Sequence, residues 1–351
     1  MELEQALAAQ LQAHPAMQPR DVIKLCYQAA RGAEHLLADP DAAARWLRQE
    51  YEAVPADEAI PLAEEIGPES CRVNLAGWKA HGLPVEWLFG IFCASAAPQQ
   101  GGEATLEDYL TRAGQVLAAE RPALLPQWQE ALAAYRHAGM PAVHHSQDYR
   151  EQEKPAYRIV HRRWLRLVPV LQALCALPET PQRPVVIAID GRAGSGKSTM
   201  AQQLAQLLDA AVVQMDDFFL PTELRTPQRF AQPGGNVHYE RFAAEVLPHL
   251  ARPQPFAYRR FACGEVMDYD GERQVPAKPY RIGEGTYSHH PALGRYADLT
   301  VFSQVEAGEQ LRRIEVRNGP ELAQLFRTRW IPLEEAYFAA CRTEQNADLR
   351  V

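Results

Sequence analysis

In the first 150 positions of the chain, apolar residues recur at helical spacing. Leu3, Leu7 and Leu11 lie four residues apart, which places them on one face of an α-helix. Similar spacing predicts further helices that begin after Pro19, at Ala42, at Val85 and at Thr105. No alternation of apolar and polar residues indicates a strand here. We therefore predict an all-α domain over residues 1–150.

The pattern changes near residue 180. Residues 177–184 contain three prolines, which predicts a stiff, extended domain boundary. We treat residues 151–183 as a connecting segment, with a helix predicted at 157–177. Beyond it, the pattern predicts strands at 185–189, 211–215 and 299–305 and helices at 198–209 and 308–316. Because strands that alternate with helices are typical of a parallel sheet, residues 184–351 are predicted to form an α/β domain.

Composition and charge narrow the classes of protein. The chain has 351 residues, of which 47% are hydrophobic and 23% are charged, as expected for a folded protein of about two domains. The formal net charge is −8, and residues 1–180 hold 16 basic against 23 acidic side chains, a net −7. Since no overall positive field would attract polyanions, we expect neither nucleic acid nor an anionic membrane as a partner.

Cysteine usage and the absence of a targeting pattern favour a cytoplasmic protein. The six cysteines are scattered without a Cys-x-x-Cys pair, which is typical of thiols in a reducing compartment. The chain begins Met-Glu-Leu-Glu, without the basic start of a signal peptide. The longest apolar run, residues 85–97, is too short to span a bilayer. Whether the protein forms a homo-oligomer stays open.

One segment of eight residues carries a specific chemistry. Gly191 to Ser198 reads Gly-Arg-Ala-Gly-Ser-Gly-Lys-Ser, a phosphate loop of the form Gly-x-x-x-x-Gly-Lys-Ser between a predicted strand and a predicted helix. Glycines let backbone N–H groups surround phosphate, and the helix N-terminus adds positive potential. Lys197 is expected to reach the β- and γ-phosphates, and Ser198 to ligate Mg²⁺. We predict nucleotide contacts from Gly191, Ala193, Gly194, Ser195, Gly196, Lys197, Ser198 and Thr199.

ATP is the expected nucleotide, with Mg²⁺ as its metal. A GTP-binding protein would need an Asn-Lys-x-Asp sequence to recognise guanine. The chain has four asparagines, and none of them stands in such a sequence.

Two acidic residues follow the second predicted strand. Asp216 and Asp217 come just past its carboxyl end, where the groups of a parallel sheet face the ligand crevice. One carboxylate can accept the proton of an attacking hydroxyl, and the other can help to place Mg²⁺. We assign the base and a metal contact to Asp216 and a substrate contact to Asp217, and the reverse assignment stays open.

Together these motifs resemble a known family. Asp-Gly-x-x-x-Ser-Gly-Lys-Ser followed by Asp-Asp-Phe-Phe resembles the uridine kinase and phosphoribulokinase-like branch of P-loop kinases, over about residues 181–351. Later segments are similar to further blocks of that family in the same order, namely 234–242, 284–287, 311–317 and 330–337. The resemblance implies a P-loop kinase fold, a metal contact from Glu284, and a lid helix whose arginines, Arg313 and Arg317, clamp the transferred phosphate.

The resemblance also implies where substrate binds. His238 stands where the family has an aspartate that holds sugar hydroxyls, and Tyr258 lies in the region that follows. This departure puts base and sugar recognition in question, while the parts for phosphoryl transfer are intact. We predict substrate contacts from Asp217, Phe219, His238, Tyr258, Arg260 and Tyr287.

Two functions from different classes follow. The first is a kinase that moves the γ-phosphate of Mg·ATP to a hydroxyl of a small, nucleoside-like or sugar-like metabolite, with Lys197, Arg313 and Arg317 stabilising the developing charge. The alternative is a P-loop ATPase switch, in which nucleotide turnover controls partner binding by the helical domain. Asp216 and the lid arginines separate the two, because only a kinase needs an acceptor pocket.

The densest polar segment of the first half spans residues 143–158. Its histidines permit a zinc hypothesis, although no cysteine lies nearby. A second hypothesis is an anion or nucleotide contact through Tyr149, Arg150 and Arg158. A third is an ordered loop that packs on the helices. The sequence leaves all three open.

Overall fold

The structure, a computed structural model, describes residues 1–32, 37, 39–96, 102–178, 182–262 and 267–351. The chain divides into two compact units, Met1–Arg166 and Leu167–Val351. This division falls within the segment that the sequence analysis treated as a connection. Residues 179–181 of the proline-containing boundary lie outside the described residues, so its extended conformation stays a prediction.

The first unit is mainly helical, with one small sheet. Its helices are α1 (Leu3–Ala13), α2 (Pro19–Arg31), α3 (Pro40–Ala53), α4 (Leu75–Ala80), α5 (Val85–Ser95), α6 (Glu103–Glu120), α7 (Leu125–His137) and α8 (Gln147–Glu153). Its strands are β1 (Ala63–Glu65), β2 (Ser70–Asn74) and β3 (Tyr157–His161). They form an antiparallel sheet in the order β1-β2-β3.

Helices α1, α2 and α6 supply much of the core of the first unit. Leu3, Leu7 and Leu11 of α1 are buried in one cluster with Leu25 of α2 and Leu110 of α6. The face predicted from their spacing is therefore the buried one, and each buried leucine contributes about 2 kcal/mol of transfer free energy. The helices predicted after Pro19, at Ala42 and at Val85 are confirmed, and the one predicted at Thr105 begins two residues earlier.

The prediction that the first half lacks strands was wrong. Strand β2 pairs with β3, and Cys71 lies opposite Val160. Polar and apolar residues alternate along its five residues, Ser-Cys-Arg-Val-Asn, but this run is short and contains only two apolar residues. Four of the five are buried, including Arg72, so the continuous apolar run typical of a strand buried on both faces is missing. The helix predicted at 157–177 was also wrong, because β3 and a 3₁₀ turn, Arg162–Leu167, occupy its first part. The partner strand that decides this conformation is almost 90 residues away.

The second unit contains a parallel sheet, a hairpin and flanking helices. Its strands are β4 (Val185–Gly191), β5 (Ala210–Gln214), β6 (Phe256–Ala262), β7 (Asp268–Val275), β8 (Tyr280–Glu284), β9 (Leu299–Ser303) and β10 (Leu349–Arg350). Its helices are α9 (Val168–Cys175), α10 (Lys197–Leu208), α11 (Pro227–Phe230), α12 (Tyr239–Glu245), α13 (Leu247–Leu250), α14 (Ala307–Leu325), α15 (Ile331–Cys341) and α16 (Thr343–Asn346).

The main sheet has five parallel strands in the order β10-β9-β4-β8-β5. The chain builds one side of β4 first and then the other, so the strand order reverses at β4. Ligands bind at such a switch point, outside the carboxyl ends of the strands. The strands predicted at 185–189, 211–215 and 299–305 are confirmed as β4, β5 and β9, with ends that differ by up to two residues. Strand β8 was missed, because Arg281 and Gly283 interrupt its apolar pattern.

The segment after β9 brings a bent helix towards the phosphate loop. Helix α14 breaks at Gly319, whose φ of 80° is not helical, and Pro320 starts the next turn. A π-helical turn, Phe326–Trp330, connects α14 to α15. The predicted helix at 308–316 lies within α14. No helix in the described part of the chain combines the length and apolar character needed to cross a bilayer.

Candidate active site

The phosphate loop joins β4 to α10 at the switch point. Gly191 has a φ of 141°, and a Cβ atom there would lie 2.1 Å from the carbonyl oxygen of Ser303, so this position requires glycine. Gly196 precedes α10 with a φ of 91° and provides no side-chain cap. The first N–H groups of α10 have no acceptor within the helix and point back towards the loop, where they can bind an anion.

Asp190 holds the start of this loop in place. Its buried carboxylate accepts hydrogen bonds from the backbone N–H groups of Gly191 at 2.6 Å, Tyr287 at 3.1 Å and His289 at 2.9 Å. The hydroxyl of Tyr337 donates a fourth bond at 2.8 Å. Asp190 therefore ties the loop after β8 and helix α15 to the end of β4. The sequence analysis gave it no role, although a buried acid just before the first loop glycine was a visible signal.

A cavity of about 480 Å³ lies beside the phosphate loop. This volume is in the range of small-molecule sites. Predicted site residues that line it are Ala193, Gly194, Gly196, Lys197, Ser198, Thr199, Asp216, Phe219, Glu284, Tyr287 and Arg317. Its walls also include residues that the sequence analysis did not select, among them Arg225, Asn236, Met267, Thr286, Phe326, Trp330 and Glu334. The structure therefore brings phosphate-loop, acidic and aromatic side chains to one site.

Lys197, Ser198 and Glu284 meet at the edge of the cavity. Lys197 Nζ donates to the carbonyl oxygen of Arg192 at 3.0 Å, which keeps the ammonium over the loop. Ser198 Oγ donates to Glu284 Oε2 at 3.3 Å. Burial raises the pKa of Glu284 to about 7, and the negative charge of Asp216 adds to this rise. A hydroxyl oxygen and a carboxylate oxygen that are 3.3 Å apart, as in Ser198 and Glu284, can bind the same divalent cation.

Asp216 opens into the cavity. Its side chain is accessible to solvent, but that solvent lies within the cavity, between β5 and the phosphate loop. This enclosure raises the pKa of Asp216 above its usual range, and the positive charges of Lys197 and Arg317 offset part of the rise. A carboxylate in this setting is accessible to a bound molecule and has a raised proton affinity.

Asp217 is held away from the cavity by the β6–β7 hairpin. The hydroxyl of Tyr258 donates to Asp217 Oδ2 at 2.8 Å. The Nε atoms of Arg260 and Arg273 lie 3.5 Å and 3.4 Å from its two oxygens. Asp217 is 5% exposed and does not line the cavity. Of the two adjacent acids, Asp216 is therefore the one that can reach a ligand.

The two lid arginines lie in different surroundings. Arg317 lines the cavity and donates to Asn318 Oδ1 at 2.8 Å. Arg313 donates to Glu309 at 2.7 Å and to the carbonyl oxygen of Gly194 at 3.3 Å, on the outer side of the phosphate loop. Arg317 is thus already positioned at the cavity, and Arg313 contacts only the loop that forms its edge.

Four of the six predicted substrate residues, including Asp217, do not line the cavity. His238 caps helix α12, because its Nδ1 accepts the backbone N–H of Arg241 at 3.3 Å. Tyr258 and Arg260 contact Asp217, as described above. Asn236, two residues before His238, lines the cavity instead. In this segment, the side chain that lines the cavity is therefore Asn236, two residues before the predicted one.

Glu334 of α15 is a second buried acid at the loop. Its Oε2 accepts the backbone N–H of Ala193 at 3.0 Å, and Thr286 Oγ1 lies 3.5 Å from its Oε1. Burial raises the pKa of Glu334 to about 7, although Lys197 lowers it. The side chain of Glu334 therefore connects helix α15 to the phosphate loop.

The polar segment of the first unit packs against its helices, as the third hypothesis expects. Tyr149 is buried and stacks on His145, with ring centroids 4.4 Å apart. Arg158 pairs with Glu50 at 2.8 Å. Arg150 lies on the wall of a cleft. Within the described residues, no group of three or more histidine, cysteine or acidic side chains could hold a metal ion, so the zinc hypothesis has no support there.

The fold and the loop define the class of the second unit. A five-stranded parallel sheet, a phosphate loop after its middle strand and a helix directly behind that loop make residues Leu167–Val351 a P-loop NTPase domain. This is the fold that the resemblance implied.

Comparisons with known proteins found similarity to solved structures. The chain matches no protein-family model and no curated protein. A solved structure from Bacillus stearothermophilus, named as a possible uridine kinase, is 19% identical, with a TM-score of 0.43 over 54% of this chain and 98% of its own. A candidate fructose transport system kinase from Silicibacter sp. TM1040 is 22% identical, with a TM-score of 0.42 over 53% of this chain and 98% of its own.

Proposed function

We propose that the second unit is an ATP-dependent phosphotransferase with a small hydroxyl-bearing acceptor. The acceptor oxygen attacks the γ-phosphorus of ATP, and the bond from that phosphorus to the β,γ-bridging oxygen breaks. ADP leaves, the phosphate ester forms, and Asp216 takes the hydroxyl proton. The observation that carries the proposal is that Asp216 opens into the same cavity as Lys197 and the N-terminus of α10.

Each part of this site has a matching electrostatic task. The N–H groups of the loop and Lys197 would bind the β- and γ-phosphates, where negative charge is transferred during the reaction. Arg317 adds a second positive charge at the cavity wall. The raised pKa of Asp216 suits a base that must accept a proton near neutral pH.

Ser198, Glu284 and Asp216 would hold Mg²⁺. The three oxygen donors fit its preference, and ATP phosphates and water would complete the shell, since Mg²⁺ keeps several such ligands. When bound, the ion neutralises charge on the phosphates. The pKa of Glu284, about 7, leaves its carboxyl half protonated at neutral pH. In this proposal Glu284 must therefore lose its proton before it can bind Mg²⁺.

The cavity walls support a nucleoside-like or sugar-like acceptor. Phe219, Tyr287 and Trp330 offer aromatic surface, and Asn236 and Arg225 offer polar groups. Flat rings stack on aromatic side chains, and hydroxyls pair with amide and guanidinium groups. His238 stands where the kinase family that the sequence resembles has an aspartate, and it does not line the cavity. Asn236 does line the cavity, and it is the proposed contact for acceptor hydroxyls.

The test is a screen of nucleosides and sugars for acceptor-dependent release of ADP from Mg·ATP. We expect one acceptor class to stimulate release, to yield a phosphate ester on analysis of the products, and to lose this stimulation in Asp216→Asn. Arg312→Gln is the matched control, because Arg312 pairs with Glu309 on the exposed face of α14. Turnover that no acceptor stimulates and a protein partner changes would favour the ATPase switch and contradict the proposal.

A further inference from the structure

The first unit contains a second cavity, a cleft of about 440 Å³ whose walls carry more positive than negative charge. Lys24, Arg150 and Lys154 line it, and Glu50 is the acidic residue among the described lining residues. Glu50 is already paired with Arg158 at 2.8 Å, which cancels its charge. The lining side chains therefore carry an excess of about three positive charges, and the buried carboxylate of Asp21, whose charge opposes the lowering of the Lys24 pKa, offsets part of it. This contrasts with residues 1–180 as a whole, which are net negative.

These three cations have no acidic partners in the described part of the chain. No carboxylate there lies within 4 Å of Lys24, Arg150 or Lys154, whereas most arginines of this unit are paired with an acid or with carbonyl groups. Lys24 donates one of its three N–H bonds to the carbonyl oxygen of Val143 at 3.0 Å. Two further N–H bonds remain for a ligand. Cations that converge without a directly paired carboxylate are typical of a site for an external anion.

A buried arginine behind the cleft adds to its positive potential. Arg72 is 1% exposed, and no carboxylate among the described residues lies within 4 Å of it. It donates to the amide oxygens of Gln28 at 2.8 Å and Gln10 at 3.1 Å. Buried charges are normally paired with an opposite charge. The charge of Arg72 also contributes to lowering the pKa of Lys24, to about 8, after the larger effect of burial.

The floor of the cleft is fixed by buried hydrogen bonds. His145 is bonded through Nδ1 to Asp21 at 2.7 Å and through Nε2 to the hydroxyl of Tyr157 at 2.6 Å. Burial lowers the pKa of His145 to about 4, so the ring is neutral at pH 7, donates to Asp21 and accepts from Tyr157. Ser146 also donates to Asp21 through its hydroxyl and its backbone N–H. The loop that carries His144 and His145 is thus held rigid before a ligand arrives.

We propose that this cleft binds a small molecule through a phosphate group. A phosphomonoester carries nearly two negative charges at pH 7 and has three acceptor oxygens, which match three converging cations better than a singly charged carboxylate does. The volume of about 440 Å³ leaves room for an attached small organic group. Nothing in this inference depends on the activity of the second unit.

The probe for the test is inorganic phosphate, added to the full chain at constant ionic strength. The readout is the imidazole signals of His144 and His145 in nuclear magnetic resonance spectra, since these side chains line the cleft. The phosphate loop is also expected to bind phosphate, but none of its residues lines this cleft. We expect saturable shifts below about 10 mM phosphate, and far smaller shifts with acetate.

Three variants decide where the phosphate binds. Lys24→Gln and Arg150→Gln should each weaken phosphate binding about tenfold or more, because each removes a charge-assisted hydrogen bond. Arg150 is exposed and has no partner among the described residues, so its variant does not disturb folding. Arg163→Gln, which removes an exposed charge of the same unit outside the cleft, should change binding less than twofold.

Three results would overturn the proposal. The first is the absence of saturable shifts up to about 50 mM phosphate. The second is an equal effect of Arg163→Gln and Arg150→Gln, which would mean attraction by overall charge alone. The third is equal binding of acetate and phosphate, which would exclude recognition of a phosphate group.

Discussion

Asn substitutions at Asp216 and Asp217 should have opposite consequences, although the two residues are adjacent. Asp216→Asn removes the proposed base from the cavity and leaves its shape unchanged. We expect acceptor phosphorylation to fall about 10²–10⁴-fold, which corresponds to about 3–5 kcal/mol of barrier. Stabilisation by ATP should persist, because Lys197 and the N–H groups of the loop are untouched and one negative charge near the phosphates is gone.

Asp217→Asn should affect stability instead. Its pairs with Arg260 and Arg273 involve arginines that are 40% and 46% exposed, so each contributes only about 0.5 kcal/mol. Asparagine can still accept the hydroxyl of Tyr258, but the loss of charge costs about 1 kcal/mol more. A total loss of about 2 kcal/mol in the free energy of unfolding lowers the melting temperature of a unit of this size by about 4–8 °C. Turnover at a temperature where the variant is folded should change less than about fivefold.

The assay combines acceptor-dependent ADP release with thermal unfolding of both variants, with and without Mg·ATP. The two measurements separate a chemical role from a structural one, because only the base should lose turnover at unchanged stability. A fully active Asp216→Asn would refute the assignment of the base. An inactive Asp217→Asn with an unchanged melting temperature would reverse the two roles.

Three further predictions concern the phosphate loop and its acids. Lys197→Ala should lower turnover with any acceptor about 100-fold or more, and full activity in this variant would exclude the site. Between pH 6 and 8, the apparent affinity for Mg²⁺ in the presence of ATP should rise about tenfold more in the wild type than in Glu284→Gln. The reason is that a carboxyl with a pKa near 7 becomes charged over this range. The same dependence of Mg²⁺ affinity on pH in both proteins would exclude Glu284 from the metal site. The folded-state pKa of Glu334 is raised to about 7, so its contribution to stability is present below the unfolded pKa and is lost as the pH rises through 7. In urea unfolding, Glu334→Gln should therefore be more stable than the wild type by about 1–3 kcal/mol at pH 8, and this difference should shrink towards pH 5. A variant that is less stable than the wild type at pH 8 would show that the hydrogen bond from the Ala193 N–H requires the carboxylate.

Much of the local structure followed from the sequence. The face of α1 that carries Leu3, Leu7 and Leu11 is buried as its spacing predicted, since a helix needs only neighbouring residues to define its faces. The phosphate loop was equally readable, because eight consecutive residues contain both the glycines that its backbone needs and the side chains that its chemistry needs. Strand β4 and helix α10, on either side of the loop, followed for the same reason.

Elements defined by distant partners could not be predicted in this way. Strand β3 was taken for a helix because its conformation depends on pairing with β2, and strand β8 was missed although it is central to the sheet. Both sheets bury an arginine in a strand, Arg72 in β2 and Arg281 in β8. A buried polar residue breaks the continuous apolar run that is typical of a strand buried on both faces.

The sequence by itself determined which residues form the phosphate loop, and from that loop it predicted nucleotide binding by the second unit. Only the tertiary structure decided which of two adjacent acids faces the cavity, because the hairpin that holds Asp217 begins about 40 residues further along the chain. The same holds for Asn236, which lines the cavity where His238 was expected. Local sequence fixes which chemical groups are available, whereas the direction in which each points depends on the long-range packing of the strands and loops that surround it.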